Sequence, residues 1–515
     1  MSERVGADDM RLLVTESAST PMHNATLDLF TPPPDGFDYD RLVGLIGDRI
    51  AFVPRYRQRI RAVPGRLAMP MWVDDDDFDL TYHVRRSALP RPGSMAQLHD
   101  LVARIMSRQL DRGRPLWEVY LIEGLAGSGA GTRGSDTGAG TRGSDTGAGT
   151  RGSDAGPGGR FAILAKSHQV LVDGVSTIDL GQVILDVDDQ ARETVHDDWR
   201  PHPVPSSAAM VARAVADSVR HPRSAVDTVQ ANARGVLRSA GSVGVHVLDL
   251  AGSWSGRGTT PDSPLNVTLS EQRRFTTVKT DLEDYRNVRG RHGGTVNDVV
   301  LATVTGGLRS WLMTRAQSMH GSRSLRVMVP MSVIDSGLEP TSLGSQVAGH
   351  LLSLPIGESS PVVRLHQVSY ALKAHKETGR AVAANTLAGV AGFAPTTFHA
   401  LGARVAAADP RRGFNLVVTN VPGPQFPLYA AGALMDESYP VPPLLTDHAL
   451  AIGVTSYDGG VYFGLTADRD AVPDLDVLAQ CLVEALEELL ESARESRPRA
   501  PRGPQKPTHA RSDTS

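Results

Sequence analysis

The sequence predicts a mixed α/β (α+β) protein of two comparable lobes, each a mixed sheet carrying helices. Three observations carry that prediction. Strand-like and helix-like runs alternate along both halves of the chain. A Pro-rich stretch opens a weakly patterned segment near the middle, at 200–265. The length, 515 residues, is more than one hydrophobic core usually encloses.

In the first half, 24–30 reads as a strand and 39–50 as a helix. The next helix, 94–110, repeats Met95, Leu98, Leu101, Val102 and Ile105 at helical spacing. Strands follow at 117–122 and 160–167, then a helix at 174–187. Between the two strands lies a nine-residue repeat: GAGTRGSDT at 129–137 and 138–146, then GAGTRGSDA at 147–155. No unit carries a large apolar residue that could stack, so 129–158 reads as a flexible insertion lengthening a surface hairpin. Such an insertion is tolerated because closure entropy grows only logarithmically with loop length.

Residues 200–206 (RPHPVPS) start a connector that runs to 265, containing an Ala/Val/Arg stretch at 207–250. The second half, 266–496, is predicted to hold helices at 295–313, 361–376 and 474–493, with strands at 325–331, 414–419, 448–455 and 460–466. In 474–493, Leu475, Leu478, Leu482, Leu486 and Leu489 line one face and Glu the other. YDGG at 457–460 signals a β-hairpin turn. The tail, 497–515, combines Pro and Arg with almost nothing to bury and reads as disordered and basic. The domain plan is therefore a first lobe over 1–199, the connector, a second lobe over 266–496, and the tail.

Composition narrows the function. Net charge is −4, which argues against a surface built to hold nucleic acid. One cysteine, Cys481, excludes an intramolecular disulfide framework and any Cys-cluster metal site. No window approaches 18 uninterrupted apolar residues, and residues 1–20 lack the apolar core of a signal peptide, so the expected place is the cytoplasm. The acidic run Asp74–Asp77 lacks the interleaved ligand spacing of a calcium loop and reads as a solvated acidic loop. No metal and no cofactor are expected.

The most informative stretch is KSHQVLVDGVST, 166–177. A strand runs into a polar turn, then Asp173–Gly174, then an apolar helix. A polar strand end feeding a Gly turn is a usual place for a reacting group, because rigid elements aim the loop residue. The plain alternative is that Asp173 caps the helix and His168 is an ordinary core or surface histidine.

This stretch resembles HHxxxDG, the signature of the bacterial wax ester synthase/acyl-CoA:diacylglycerol acyltransferases, which are related to chloramphenicol acetyltransferases and peptide-synthetase condensation domains. Further pieces agree in order: residues 10–30 with Pro21–Met22–His23, RPLWEVYLIEGL at 114–125, TVNDVVLATVTGGLRSWL at 295–312, RVMVPMSV at 326–333, NLVVTNVPGP at 415–424 and SYDGGVYFGLTAD at 456–468. The resemblance implies two chloramphenicol-acetyltransferase-like lobes around a central tunnel. It also implies transfer of a fatty acyl group from acyl-CoA, as substrate, to diacylglycerol or a long-chain alcohol. With an apolar acceptor, and with 207–250 at hand, peripheral contact with the inner membrane surface or lipid inclusions becomes an expectation. The other reading of 207–250 is packing between the lobes.

The sequence departs from the family at its central residue. There the second His, four residues before Asp, is the general base that takes the proton of the acceptor alcohol. In this chain that slot is Gln169, and His168 fills only the first position. A carboxamide has no basic lone pair. If strand alternation persists, 168 and 169 point to opposite faces, so His168 reaches the acceptor only through a shifted turn or a bridging water. Gln169 itself could orient the alcohol or polarise the thioester carbonyl. A second reading is therefore a catalytically inactive acyl-CoA or lipid-binding homologue on the same scaffold. By resemblance, Asp173 is structural, paired with a basic residue, and Gly174 permits close approach. Asn297 and Asp298 either cap their helix or border the acyl-CoA channel. Thr419 and Asn420, with the turn 421–424, either line the tunnel or form a rigid strand exit. Trp117 and Glu118 read as packing and a buried ion pair.

Overall fold

The computed structural model describes residues 3–66, 68–127, 159–171, 181, 184–189, 199–212, 263–315, 324–332, 347–375 and 413–495. Expectations for the 129–158 repeat, for Asp173 and Gly174, and for the 497–515 tail fall outside the described residues, as does most of 174–187 and of the connector.

The first half holds α1 (Ala7–Thr15), β1 (His23–Thr31), α2 (Tyr39–Arg49), β2 (Gln58–Arg61), β3 (Met71–Asp74), α3 (Leu80–His83), β4 (Val84–Ala88), α4 (Met95–Met106), β5 (Trp117–Leu125) and β6 (Arg160–His168). The second half begins with β7 (Arg273–Asp281), α5 (Leu282–His292), α6 (Val296–Thr314), β8 (Leu325–Ser332), β9 (Val347–Leu354) and α7 (Pro361–His375). It continues with β10 (Leu416–Pro422), β11 (Tyr429–Ala430), β12 (Ala433–Val441), β13 (Leu450–Tyr457), β14 (Gly460–Asp468) and α8 (Leu475–Glu495). Local chemistry sets several boundaries. Ser94 with Gln97, and Thr295 with Asp298, form capping boxes that start α4 and α6. The predicted hairpin turn takes the left-handed conformation at Asp458 (φ 40°) and Gly459 (φ 80°), which an Asp-Gly pair tolerates.

Two six-stranded mixed sheets result, in the orders β11-β12-β1-β6-β5-β4 and β7-β14-β13-β10-β8-β9. Each has its own apolar core. The strands β11 and β12, which lie within the second half of the sequence, extend the first sheet: β12 pairs antiparallel with β1, Ala25 opposite Val441 and Thr31 opposite Leu434. On its way β12 crosses the second sheet at a bare spot. Gly453 and Gly464 face each other across β13 and β14, and a Cβ at Gly464 would sit 1.7 Å from the Pro440 carbonyl oxygen. Only glycine admits that approach.

The lobes are joined by more than this strand. The helix α4 packs on β7, and His99 Nε2 lies 3.0 Å from Thr277 Oγ1. Glu437 on β12 takes Lys279 of the second lobe at 3.0 Å and faces Arg160 of the first at 3.5 Å. The buried Arg273 guanidinium donates to the Ser19 carbonyl.

The acidic run differs from the solvated loop expected of it. Asp75 is buried and ion-paired with Arg59, which also takes Asp76. Asp74 accepts from Gln58 Nε2 and from His202. The run is thus tied down by nearby cations and amides, which composition alone does not reveal.

Candidate active site

The site is built where β6 ends. His168 stands opposite His23 in the antiparallel β1–β6 ladder, so both imidazoles lie on one face of the sheet, ring centroids 5.7 Å apart. Lys166, two residues earlier on the same face, is buried and donates Nζ to the carbonyls of Ile105 (3.0 Å) and Arg108 (2.5 Å), closing the C-terminal end of α4. Burial lowers this ammonium to about 8. Trp117 and Glu118 behave as packing and ion-pair residues. Trp117 stacks on His83 and donates Nε1 to the Tyr56 carbonyl, and Glu118 pairs with Arg85.

At His168 the chain leaves the strand. Its N–H donates to the Leu116 carbonyl, the Gln169 N–H donates to the Met22 carbonyl, and a single 3-10 turn covers Gln169–Leu171. The Val170 N–H donates to His168 Nδ1 at 3.0 Å, so the imidazole carries its hydrogen on Nε2, which faces Glu16 Oε2 at 3.5 Å. Both ring nitrogens of His168, 1% exposed, thus face the protein's own framework.

Gln169 is 0% exposed, and neither Oε1 nor Nε2 has a hydrogen-bond partner among the described residues. A buried carboxamide left unpaired costs about 1–3 kcal/mol per polar group, so Gln169 sits at an energetic cost among the described residues.

Sequence reasoning missed the cluster beneath the motif. Glu16, its side chain 2% exposed, accepts from Arg112 Nη2 at 2.6 Å and pairs with His23 Nε2 at 3.0 Å. Burial raises the Glu16 carboxyl, but contact with His168 and His23 outweighs it and holds the group well below the usual carboxylate range. Burial drives His23 down to about 3 against the pull of Glu16, so a neutral imidazole sits beside an ionised carboxylate. The only sequence signal was the Pro21–Met22–His23 piece; nothing tied it to Glu16 or Arg112.

The predicted substrate-binding residues fall in two groups. Asn297, in the first turn of α6, accepts from Asn420 Nδ2 of β10 at 2.7 Å. Thr419, beside Asn420, is buried. Asp298 is buried and its Oδ2 accepts from Thr295 N–H and Ser369 Oγ, both at 2.9 Å, which fixes the start of α6. No hydrogen bond among the described residues joins the Asn297–Asn420 pair to His168 or Gln169.

A cavity of about 850 Å³ opens at the lobe junction, walled by α1 and the turn after it, by residues of and between β2 and β3, and by Leu269, Thr446 and Asp447 of the second half. Glu16 and Leu116, both in its wall, touch His168, while α1 lies against the 169–171 turn.

The sequence pattern of the wax ester synthase/diacylglycerol acyltransferase catalytic domain matches residues 6–131 and 156–300, its interruption falling on the repeats. The pattern of the WS/DGAT C-terminal domain matches 343–490. Among relatives, the probable diacylglycerol O-acyltransferase tgs1 of Mycobacterium tuberculosis (strain ATCC 25618 / H37Rv) is 33% identical over 460 residues, 88% of each chain. The same organism's probable diacylglycerol O-acyltransferase tgs2 is 31% identical over 503 residues, 94% of this chain and 97% of that protein. In structure, the wax ester synthase/diacylglycerol acyltransferase from Marinobacter aquaeolei VT8 superposes with a TM-score of 0.61 at 27% identity, covering 95% of this chain and all of that one. The starter condensation domain of rhizomide synthetase shares the fold, at a TM-score of 0.51 and 10% identity over 96% of this chain and 95% of that one.

Proposed function

Because the chain belongs to the wax ester synthase/diacylglycerol acyltransferase family, we infer that it is an O-acyltransferase moving a fatty acyl group from acyl-CoA to diacylglycerol, with long-chain alcohols as further acceptors. The observation that carries the reading is the match of the family's catalytic and C-terminal patterns across 6–131, 156–300 and 343–490, with Gln169, a buried carboxamide without a hydrogen-bond partner among the described residues, in the slot that the motif gives to the general base. In the reaction the acceptor oxygen attacks the thioester carbonyl, the C–O bond forms, the C–S bond breaks, and the alcohol proton ends on the CoA sulfur. Gln169 Oε1 accepts a hydrogen bond from the attacking hydroxyl, and Nε2 donates to the carbonyl oxygen as charge develops there. The carboxamide orients both partners but holds no proton. A positioned general base contributes roughly 10²–10⁴-fold, so its absence leaves a barrier higher by roughly 3–5 kcal/mol.

A specific observation favours a second reading, a binding protein that turns over little: the imidazole beside Gln169 is engaged by the Val170 N–H and faces Glu16. Lipid contact belongs to either reading, because the acceptor is apolar. No helix among the described residues is long and apolar enough to cross a membrane, and the contact we propose is peripheral. Flotation with liposomes checks it; protein left wholly at the bottom of the gradient refutes it.

The test of function is purified protein with labelled palmitoyl-CoA and either diolein or hexadecanol. Labelled triacylglycerol or wax ester, released with one CoA each, supports the transferase. Palmitoyl-CoA binding without ester supports the binding protein. Neither binding nor ester refutes both.

A further inference from the structure

The helix α1 ends at Glu16, whose N–H donates to the Leu12 carbonyl. A tight turn then reverses the chain. Ser17 and Thr20 exchange two backbone hydrogen bonds, at 3.3 and 3.1 Å, and their hydroxyl oxygens lie 2.6 Å apart. The reversal returns Met22 and His23 to the Glu16 carboxylate, and Arg273 of the second lobe holds the Ser19 carbonyl at the tip of the turn.

The two oxygens of that carboxylate serve different groups. Oε1 accepts from the Met22 N–H at 3.3 Å and pairs with His23 Nε2 at 3.0 Å, so it brackets the Met22 carbonyl. Oε2 accepts from Arg112 Nε at 3.2 Å and Nη2 at 2.6 Å, and faces His168 Nε2 at 3.5 Å. Arg112 Nη2 also donates to the Leu13 carbonyl at 2.7 Å, tying the last turn of α1 to the same guanidinium.

These contacts converge on position 169. The turn after β6 opens with the N–H groups of Gln169 and Val170. The first donates to the Met22 carbonyl and the second to His168 Nδ1, each at 3.0 Å. Met22 and His168 are therefore the acceptors that place the turn, and Glu16 contacts both. A side chain carried on a turn is only as well placed as the groups that anchor it. An ionised acceptor anchors more firmly than a neutral one, and this carboxylate, with its side chain 2% exposed, is shielded from competing water.

We propose that Glu16 is the positioning residue of the motif turn, setting where the side chain at 169 stands by acting through Met22 and His168 rather than on the substrates. Its part in the reaction rests on the acyltransferase reading; its hold on the turn does not.

The test compares Glu16→Gln and Glu16→Asp with the wild type, each as the full chain, by hydrogen–deuterium exchange and by transfer from labelled palmitoyl-CoA to diolein. Glu16→Gln keeps the shape and loses the charge, and the half-exposed Arg112 it releases is taken up by water. Glu16→Asp keeps the charge and withdraws it by one methylene, so poor folding of one variant, read from its thermal midpoint, leaves the other informative. In both, the 166–171 peptide is expected to exchange roughly tenfold faster while the 460–468 peptide is unchanged. In both, kcat is expected to fall about 10²-fold with KM for palmitoyl-CoA unchanged, the effect of a misplaced group rather than of lost binding. The loss caused by Gln169→Ala should also shrink in the Glu16→Gln background, because a carboxamide already out of place has less to lose. Exchange rising equally in both peptides marks a loss of stability alone and overturns the proposal. So does an unchanged 166–171 peptide, an unchanged kcat where the wild type makes ester, or strict additivity of the two substitutions. Faster exchange confined to 166–171 in a protein whose wild type makes no ester would overturn only the transferase reading.

Discussion

Acidification should unfold this protein well above the pH at which its carboxylates titrate, because three buried imidazoles must be charged first. Burial holds His23 at about 3, and His83 and His99 at about 4. Each has a neutral framework role. His23 pairs with Glu16 Oε1, His83 Nδ1 lies 2.8 Å from the Trp117 carbonyl under a stacked indole, and His99 Nε2 meets Thr277 across the lobe junction. The unfolded chain takes up these protons near 6.5, so between that value and about 4 it binds more protons than the folded one. Stability from these groups is therefore complete above pH 7 and lost as pH falls. From pH 7 to pH 5 each histidine removes about 2 kcal/mol, roughly 6 kcal/mol together, a large part of the roughly 5–15 kcal/mol that holds a domain folded. Urea unfolding at pH 7, 6 and 5, followed by tryptophan fluorescence, reads this as a falling midpoint. Replacing His99 by Asn should remove about a third of the pH slope. Equal midpoints at pH 7 and pH 5 would refute the burial argument.

Two further outcomes follow from packing. Gly464→Ala places a methyl group 1.7 Å from the Pro440 oxygen, so β12 must lift from the second sheet. A loss of at least about 3 kcal/mol in urea unfolding is expected, at the upper end of overpacking effects, and a neutral variant would contradict the described crossing. Asn297→Ala and Asn420→Ala remove opposite ends of one 2.7 Å hydrogen bond, so a double-mutant cycle should show a coupling of about 1 kcal/mol. Strict additivity would mean that the bond contributes nothing in solution.

Much of the fold was legible because periodicity and turn chemistry are local. The strand expected at 460–466 is β14, Gly460–Asp468, and the helix expected at 295–313 is α6, Val296–Thr314, each within a few residues. What stayed hidden depends on partners far apart in sequence. The strand β12 has an irregular burial pattern, and it pairs with β1 some 400 residues away, which no local signal announces. The strand β7 and helix α5 escaped because charged residues dominate RRFTTVKTDLEDYRNVRGRH, although Asp281 caps the helix. At the site, Gln169 was legible as a departure from HHxxxDG. The engagement of His168 was not, since it needs Glu16, Arg112 and His23 brought together by tertiary packing.

Proton transfer in the motif slot turns on Gln169, and a rate comparison addresses it. Wild-type protein and Gln169→His are assayed side by side for transfer from labelled palmitoyl-CoA to diolein across pH 5–9. An imidazole regained in that slot should raise kcat by roughly 10²–10⁴-fold with KM for palmitoyl-CoA unchanged, and should add an acid limb that the wild type lacks, because a protonated imidazole accepts nothing. Equal and robust turnover by both proteins, with the same pH profile, would contradict the account and place the proton acceptor elsewhere in the chain.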